Sequence, residues 1–98
     1  MKHILIVDDE APIREILSQM LTQSGFRVTE APSALQALGV VDSDPPDLLI
    51  SDLQLEDSDG LAMISKIRAK LPALPVILLT GILFDEEVVR DSISKLVT

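Results

Sequence analysis

Four short strand-like runs, three of them with apolar centres and polar stops, each followed by a helical pattern, constrain this chain more than any other feature. The first, His3-Ile4-Leu5-Ile6-Val7, shows no polar alternation and ends at Asp8-Asp9. A continuous β-branched run of that length predicts a strand buried on both faces, as in a parallel sheet. Residues 26–30 predict a second strand. Residues 47–51 predict a third, closed by Asp52, and residues 75–79 a fourth, closed by Thr80-Gly81. Between them, Pro12 suits the first turn of a helix. Ile13, Ile16, Leu17, Met20 and Leu21 recur at helical spacing, and Ser24-Gly25 reads as a glycine stop. Ser33 and Gln36 form a capping box ahead of Leu35, Leu38 and Val41. Gly39 weakens that helix by about 1 kcal/mol relative to Ala, and Pro45-Pro46 breaks the chain. Leu61, Ile64, Ile67 and Leu71 mark a third helix. Asp85-Glu86-Glu87 load the first turn of a last one, whose apolar face is Val89, Ile93, Leu96 and Val97.

Strand and helix therefore alternate four times without repeat or linker. That pattern predicts a doubly wound α/β fold, a parallel sheet with helices on both faces, in a single domain over residues 1–98. Composition narrows the function. Eight basic against sixteen acidic side chains give a net charge of −8, which provides no basic stripe for nucleic acid or an anionic membrane. The absence of cysteine removes disulfides, thiolate nucleophiles and zinc–thiolate sites. No apolar run approaches a membrane span or a signal peptide, so the expectation is a soluble, cytoplasmic protein.

In open α/β sheets the site lies beyond the carboxyl ends of the strands. Here those ends carry Asp8-Asp9, Asp52 and Thr80, and ten of the sixteen acids fall in residues 8–10, 52–59 and 85–87. Converging carboxylates resist ionising together unless a cation sits between them. Mg²⁺ fits, because it takes oxygen ligands and needs only one or two carboxylates. A carboxylate beside such an ion can attack a phosphoryl group to give an aspartyl-phosphate, and the Thr80 hydroxyl is a natural donor to a phosphoryl oxygen. Taken singly, these residues have plainer readings. Asp9 and Glu10 are ordinary acids ahead of a helix, Asp52 a turn residue, Thr80 a strand-end hydroxyl. His3 reads as structural, and Glu56, Asp57 and Asp59 as a solvated loop.

The run Ile4-Leu5-Ile6-Val7-Asp8-Asp9-Glu10, then 47–53, then Asp59-Gly60, then 76–81, resembles in order and spacing the receiver domain of two-component response regulators. The resemblance covers the whole chain. It implies a flavodoxin-like sheet of order 2-1-3-4-5. Asp52 matches the phosphoacceptor, which takes a phosphoryl group from the phosphohistidine of a sensor histidine kinase or phosphotransfer protein. Asp8 and Asp9 match the acidic pair that holds Mg²⁺, Asp9 directly and Asp8 mostly through water. Gln54 stands where the family offers a backbone carbonyl as a further metal ligand, and Thr80 matches the switch hydroxyl. Such a domain accepts a phosphoryl group and passes a signal, and is not an enzyme in its own right.

Against that family pattern the sheet here is expected to stop at 2-1-3-4, without the usual fifth strand and helix. The lysine and the aromatic residue that serve the family's switch would fall past Thr98. Lys95, Phe26 and Phe84 do not replace them. Glu56 stands where the family usually has proline, and Gly81 where it usually has alanine. An uncovered fourth strand and last helix suggest a homodimer through those surfaces. Two other readings compete. One is a receiver-like interaction or dimerisation module that is not phosphorylated. The other is a haloacid-dehalogenase-like phosphatase, which Asp8-Asp9-Glu10 fails to match because the Asp-x-Asp spacing is absent.

Overall fold

The computed structural model describes residues 1–53, 55, 57 and 59–79. Its elements run β1 (His3–Val7), α1 (Ala11–Gln23), β2 (Arg27–Ala31), α2 (Ala34–Ser43), β3 (Leu48–Asp52), α3 (Gly60–Lys70) and β4 (Val76–Leu79). The sheet is wholly parallel with order β2-β1-β3-β4. The predicted last helix, Thr80 and Gln54 lie outside the described residues. Among the described residues no helix is long and apolar enough to cross a membrane.

β1 is central and buried throughout, as an unbroken apolar run requires. Its alternate residues feed two cores. Leu5 and Val7 face α2 and α3 with Leu49, Met63 and Ile67. Ile4 and Ile6 face α1 with Leu17, Leu21 and Ile50. Helices thus cover both faces of the sheet, a flavodoxin-like arrangement. His3 is buried at the foot of β1. Its ring Nε2 lies 2.7 Å from Thr29 Oγ1 and its backbone N–H donates to Asp47, so its place is structural.

Three sequence expectations shift, each for a reason visible in the packing. The second strand starts at Arg27 instead of Phe26 because Phe26 completes the end of α1. Gly25, at φ 93°, takes the left-handed turn. The N–H of Phe26 then donates to Leu21 O and that of Gly25 to Thr22 O, the paired bonds of a Schellman motif, with Phe26 packed in the same core as Leu21. The apolar faces are also narrower than periodicity implies. Ile16, Leu35 and Leu61 are 52%, 76% and 55% exposed. In α2 the sheet-facing residues are Ala34, Ala37 and Val41. Leu35 is one residue from Ala34, about 100° around the helix, and small alanines take the contact instead. In α3, Met63 joins Ile64 and Ile67 in the core.

The third shift concerns the loop after β3. Asp57 is exposed but not idle: its two carboxylate oxygens each accept, at 3.0 Å, from the N–H groups of Ala34 and Leu35. Ser33 Oγ accepts from Gln36 N–H, the cap expected from sequence. Together they satisfy three donors that a helix start leaves unpaired. Asp59 likewise caps α3 by accepting from Leu61 N–H. β4 ends the described sheet with Leu78 45% exposed. The last helix, the other half of the homodimer surface, lies outside the described residues.

Two predictions test this packing. By chemical denaturation, Ile67→Ala should cost about 2–5 kcal/mol as a core truncation, whereas Leu35→Ala should stay within about 0.5 kcal/mol. The N–H groups of Ala34 and Leu35 hold the Asp57 carboxyl below its ordinary 3.8. A depressed carboxyl stabilises the fold above its unfolded value, and that contribution is lost as pH falls through the folded one. Asp57→Ala should therefore lower the unfolding midpoint at pH 7. The gap to the parent chain should close as the pH is taken well below 3.8.

Candidate metal and phosphoryl site

The parallel register of β1 on β3 pairs Val7 with Ser51, so one step further along the two strands stand Asp8 and Asp52. Asp52 is the last residue of β3 and Asp8 the first after β1. Asp9 follows in the loop to α1. Each of the three acids offers a carboxylate oxygen, and these oxygens lie within 4.8 Å of one another. Asp8 is buried, Asp52 half-buried and Asp9 exposed, so the cluster opens to solvent on one side. The sequence thus placed Asp8, Asp9 and Asp52 together correctly. Gln54 and Thr80 are outside the described residues.

Asp8 is the most constrained of the three. Its N–H donates to Ala31 O at 3.2 Å, and one carboxylate oxygen accepts from Glu10 N–H at 2.8 Å. Its carbonyl accepts from Arg14 Nη1 at 2.5 Å. Burial pushes its carboxyl above the ordinary 3.8. The hydrogen bond from Glu10 opposes that shift, and the negative charges of Asp52, Asp9 and Glu10 add to it. The donor set therefore suits a hard divalent cation: all ligands are oxygen, the charge is concentrated, and a cation between them would relieve the repulsion raising Asp8.

The floor of the site is fixed by Gly60. Its N–H donates to Leu53 O at 2.8 Å. A Cβ at this position would fall inside the Asp52 carbonyl oxygen and 2.9 Å from that of Leu53. α3 therefore starts against the backbone of the central acid at a distance only glycine allows.

Two residues support the site that the sequence did not place there: Asp57, read as part of a solvated loop, and Arg14. Asp57 ties the loop after Asp52 to the start of α2. Arg14 ties α1 to Asp8 and lies 3.5 Å from Glu30 on β2. A cation one helical turn after an acidic strand end was a usable signal for Arg14. For Asp57 no local pattern existed, because its partners lie 23 and 22 residues away.

Comparison with known proteins gives a consistent result. The family profile "Response regulator receiver domain" matches residues 4–95. The transcriptional regulatory protein GlrR of Escherichia coli (strain K12) is 37% identical over 79 residues, 81% of this chain and 18% of that protein. The DNA-binding transcriptional regulator NtrC of Klebsiella pneumoniae is 39% identical over 76 residues, 78% of this chain and 16% of that protein. The chain thus spans under a fifth of the length of these curated relatives. Among solved structures, the response regulator TrrA of Thermotoga maritima in complex with Mg²⁺-BeF superposes with a TM-score of 0.88 at 30% identity. That match covers 98% of this chain and 99% of TrrA. TrrA in complex with the histidine kinase ThkA gives a TM-score of 0.89 at 28% identity, with both chains fully covered. With the fold, the clustered acids and the family profile in agreement, this chain belongs to the response regulator receiver domains of two-component systems.

Proposed function

We propose that this domain accepts a phosphoryl group onto Asp52, in a Mg²⁺-dependent reaction, from the phosphohistidine of a sensor histidine kinase or phosphotransfer protein. The observation that carries the reading is the convergence of Asp8, Asp9 and Asp52 to within 4.8 Å at adjacent strand ends. Support also comes from TrrA, similar over its whole length, which has been solved both with Mg²⁺-BeF and with a histidine kinase.

In this mechanism a carboxylate oxygen of Asp52 attacks phosphorus in line with the P–N bond of the phosphohistidine. The O–P bond forms as the P–N bond breaks, and the departing imidazole nitrogen keeps the electron pair. There is little covalent work for the protein beyond positioning and charge stabilisation. Asp8, Asp9 and Asp52, with the backbone carbonyl of Gln54, would hold the divalent ion, which when bound would neutralise the incoming phosphoryl oxygens. β3 aims Asp52, and Gly60 keeps its backbone from shifting. Thr80 is assigned the switch hydroxyl, hydrogen-bonding a phosphoryl oxygen once it has arrived. The domain serves as a phosphoacceptor in the cytoplasm, without turnover of a substrate of its own.

The direct test is intact-mass analysis after incubation with acetyl phosphate. A Mg²⁺-dependent phosphoryl adduct, absent without the metal and absent in Asp52→Asn, is the expected result. No adduct under any condition would remove the phosphoacceptor reading and leave an interaction module of receiver shape. A second test uses two glycines. Gly60→Ala forces the Asp52 carbonyl to move and should slow adduct formation. Gly39→Ala, which meets nothing within 4 Å in α2, should leave it unchanged while stabilising the fold by about 0.5–1 kcal/mol.

A further inference from the structure

Arg14 sits on the first turn of α1 and reaches back to the loop that carries the acid pair. Its Nη1 donates to the Asp8 carbonyl at 2.5 Å, and its Nε lies 3.5 Å from Glu30 Oε1 at the end of β2. The Nε is buried and has no aligned hydrogen-bond partner among the described residues. Leaving a buried donor unsatisfied is costly, so the guanidinium is placed by what its other arm holds. Glu30 adjoins Ala31, whose carbonyl receives the Asp8 N–H. The end of β1, the end of β2 and the start of α1 are thereby closed into one ring through Arg14.

Only Asp8, Asp9 and Glu10 lie between β1 and α1, and all three are acids whose charges push on one another. The Asp8 carboxylate and N–H are held by Glu10 N–H and Ala31 O, and Arg14 holds the remaining polar group of that residue, its carbonyl. We propose that Arg14 is a positioning residue for the divalent cation: it braces the Asp8 backbone so that the acids stand ready before the ion arrives, while Glu30 offsets its charge. This rests on the Mg²⁺ reading above. The two roles a cation could play here predict opposite signs. Acting only through its field, Arg14 repels Mg²⁺, and removing it would tighten binding. Acting as a brace, it fixes ligand geometry, and removal loosens binding. Groups that hold metal ligands in place change affinity by about 10–100-fold when removed. A single charge paired with Glu30 has a smaller effect, which salt screens.

The experiment is Mg²⁺ titration by calorimetry of the parent chain, Arg14→Gln, Arg14→Lys, Glu30→Gln and the Arg14→Gln/Glu30→Gln pair. Thermal unfolding without metal checks that each is folded. Arg14→Gln and the double variant should bind Mg²⁺ about tenfold more weakly than the parent. That ratio should persist as salt is raised. Arg14→Lys, which can still reach one acceptor, should recover part of the loss, and it carries the test should the glutamine variant not fold. Arg27→Ala breaks the Arg27–Asp44 pair near the amino-terminal ends of the strands and should leave Mg²⁺ affinity unchanged, separating positioning from general loss of stability. Equal or tighter binding by both Arg14 variants, with the parent binding Mg²⁺ normally, overturns the inference alone. A parent chain that binds no Mg²⁺ overturns the metal reading and the inference with it.

Discussion

The parallel pairing of β1 with β3 is the constraint on which the rest of the molecule depends. Both strands are apolar along nearly their whole length, so both must be covered on two faces, and only helices on either side of the sheet can do that. The register that pairs Ile4 with Leu48 and Val7 with Ser51 also decides where the chain becomes polar. Both strands turn acidic at their carboxyl ends, and the shared register makes those turns coincide. A slip of one residue would move the apolar side chains to the wrong faces. The same burial that fixes the core therefore fixes the separation of Asp8 and Asp52.

Bringing these acids together raises the free energy of the folded state, and the surroundings show how the chain tolerates it. Asp8 is held through its N–H, its carbonyl and its carboxylate by three different parts of the structure. The loop after β3 is pinned by Asp57 at the start of α2 and by Asp59 at the start of α3. Polar groups at helix starts absorb carboxylates well, because unpaired N–H groups and the helix dipole both favour negative charge there. Several acids that read as surplus charge in the sequence are thus part of local structure, while Asp8, Asp9 and Asp52 converge at the strand ends.

Much of this was legible beforehand, for reasons that can be named. The unbroken apolar run of His3–Val7 is unambiguous, and so is the glycine stop at Gly25. Ser33 capped α2 as its spacing with Gln36 implied. The site acids were legible because strand ends announce themselves, and an Asp after each of two buried strands leaves little freedom in where they meet. The misplacements concerned helix rotation, the exact end of α1 and long-range partnering. Leu35 satisfies helical spacing as well as Ala34 does, and only the sheet's position tells them apart. Phe26 is as good a strand residue as Arg27, and was claimed by the end of α1.

The sequence by itself determined the order of elements, the buried strands and the identity of the acids, because periodicity and polarity are properties of neighbouring residues. Tertiary structure alone decided which helix faces meet the sheet and why Gly60 can be nothing larger. It also decided that Asp57 serves a helix 22 residues upstream. Each of these depends on a contact between segments that the folded sheet brings together, and no local pattern encodes a distance across space.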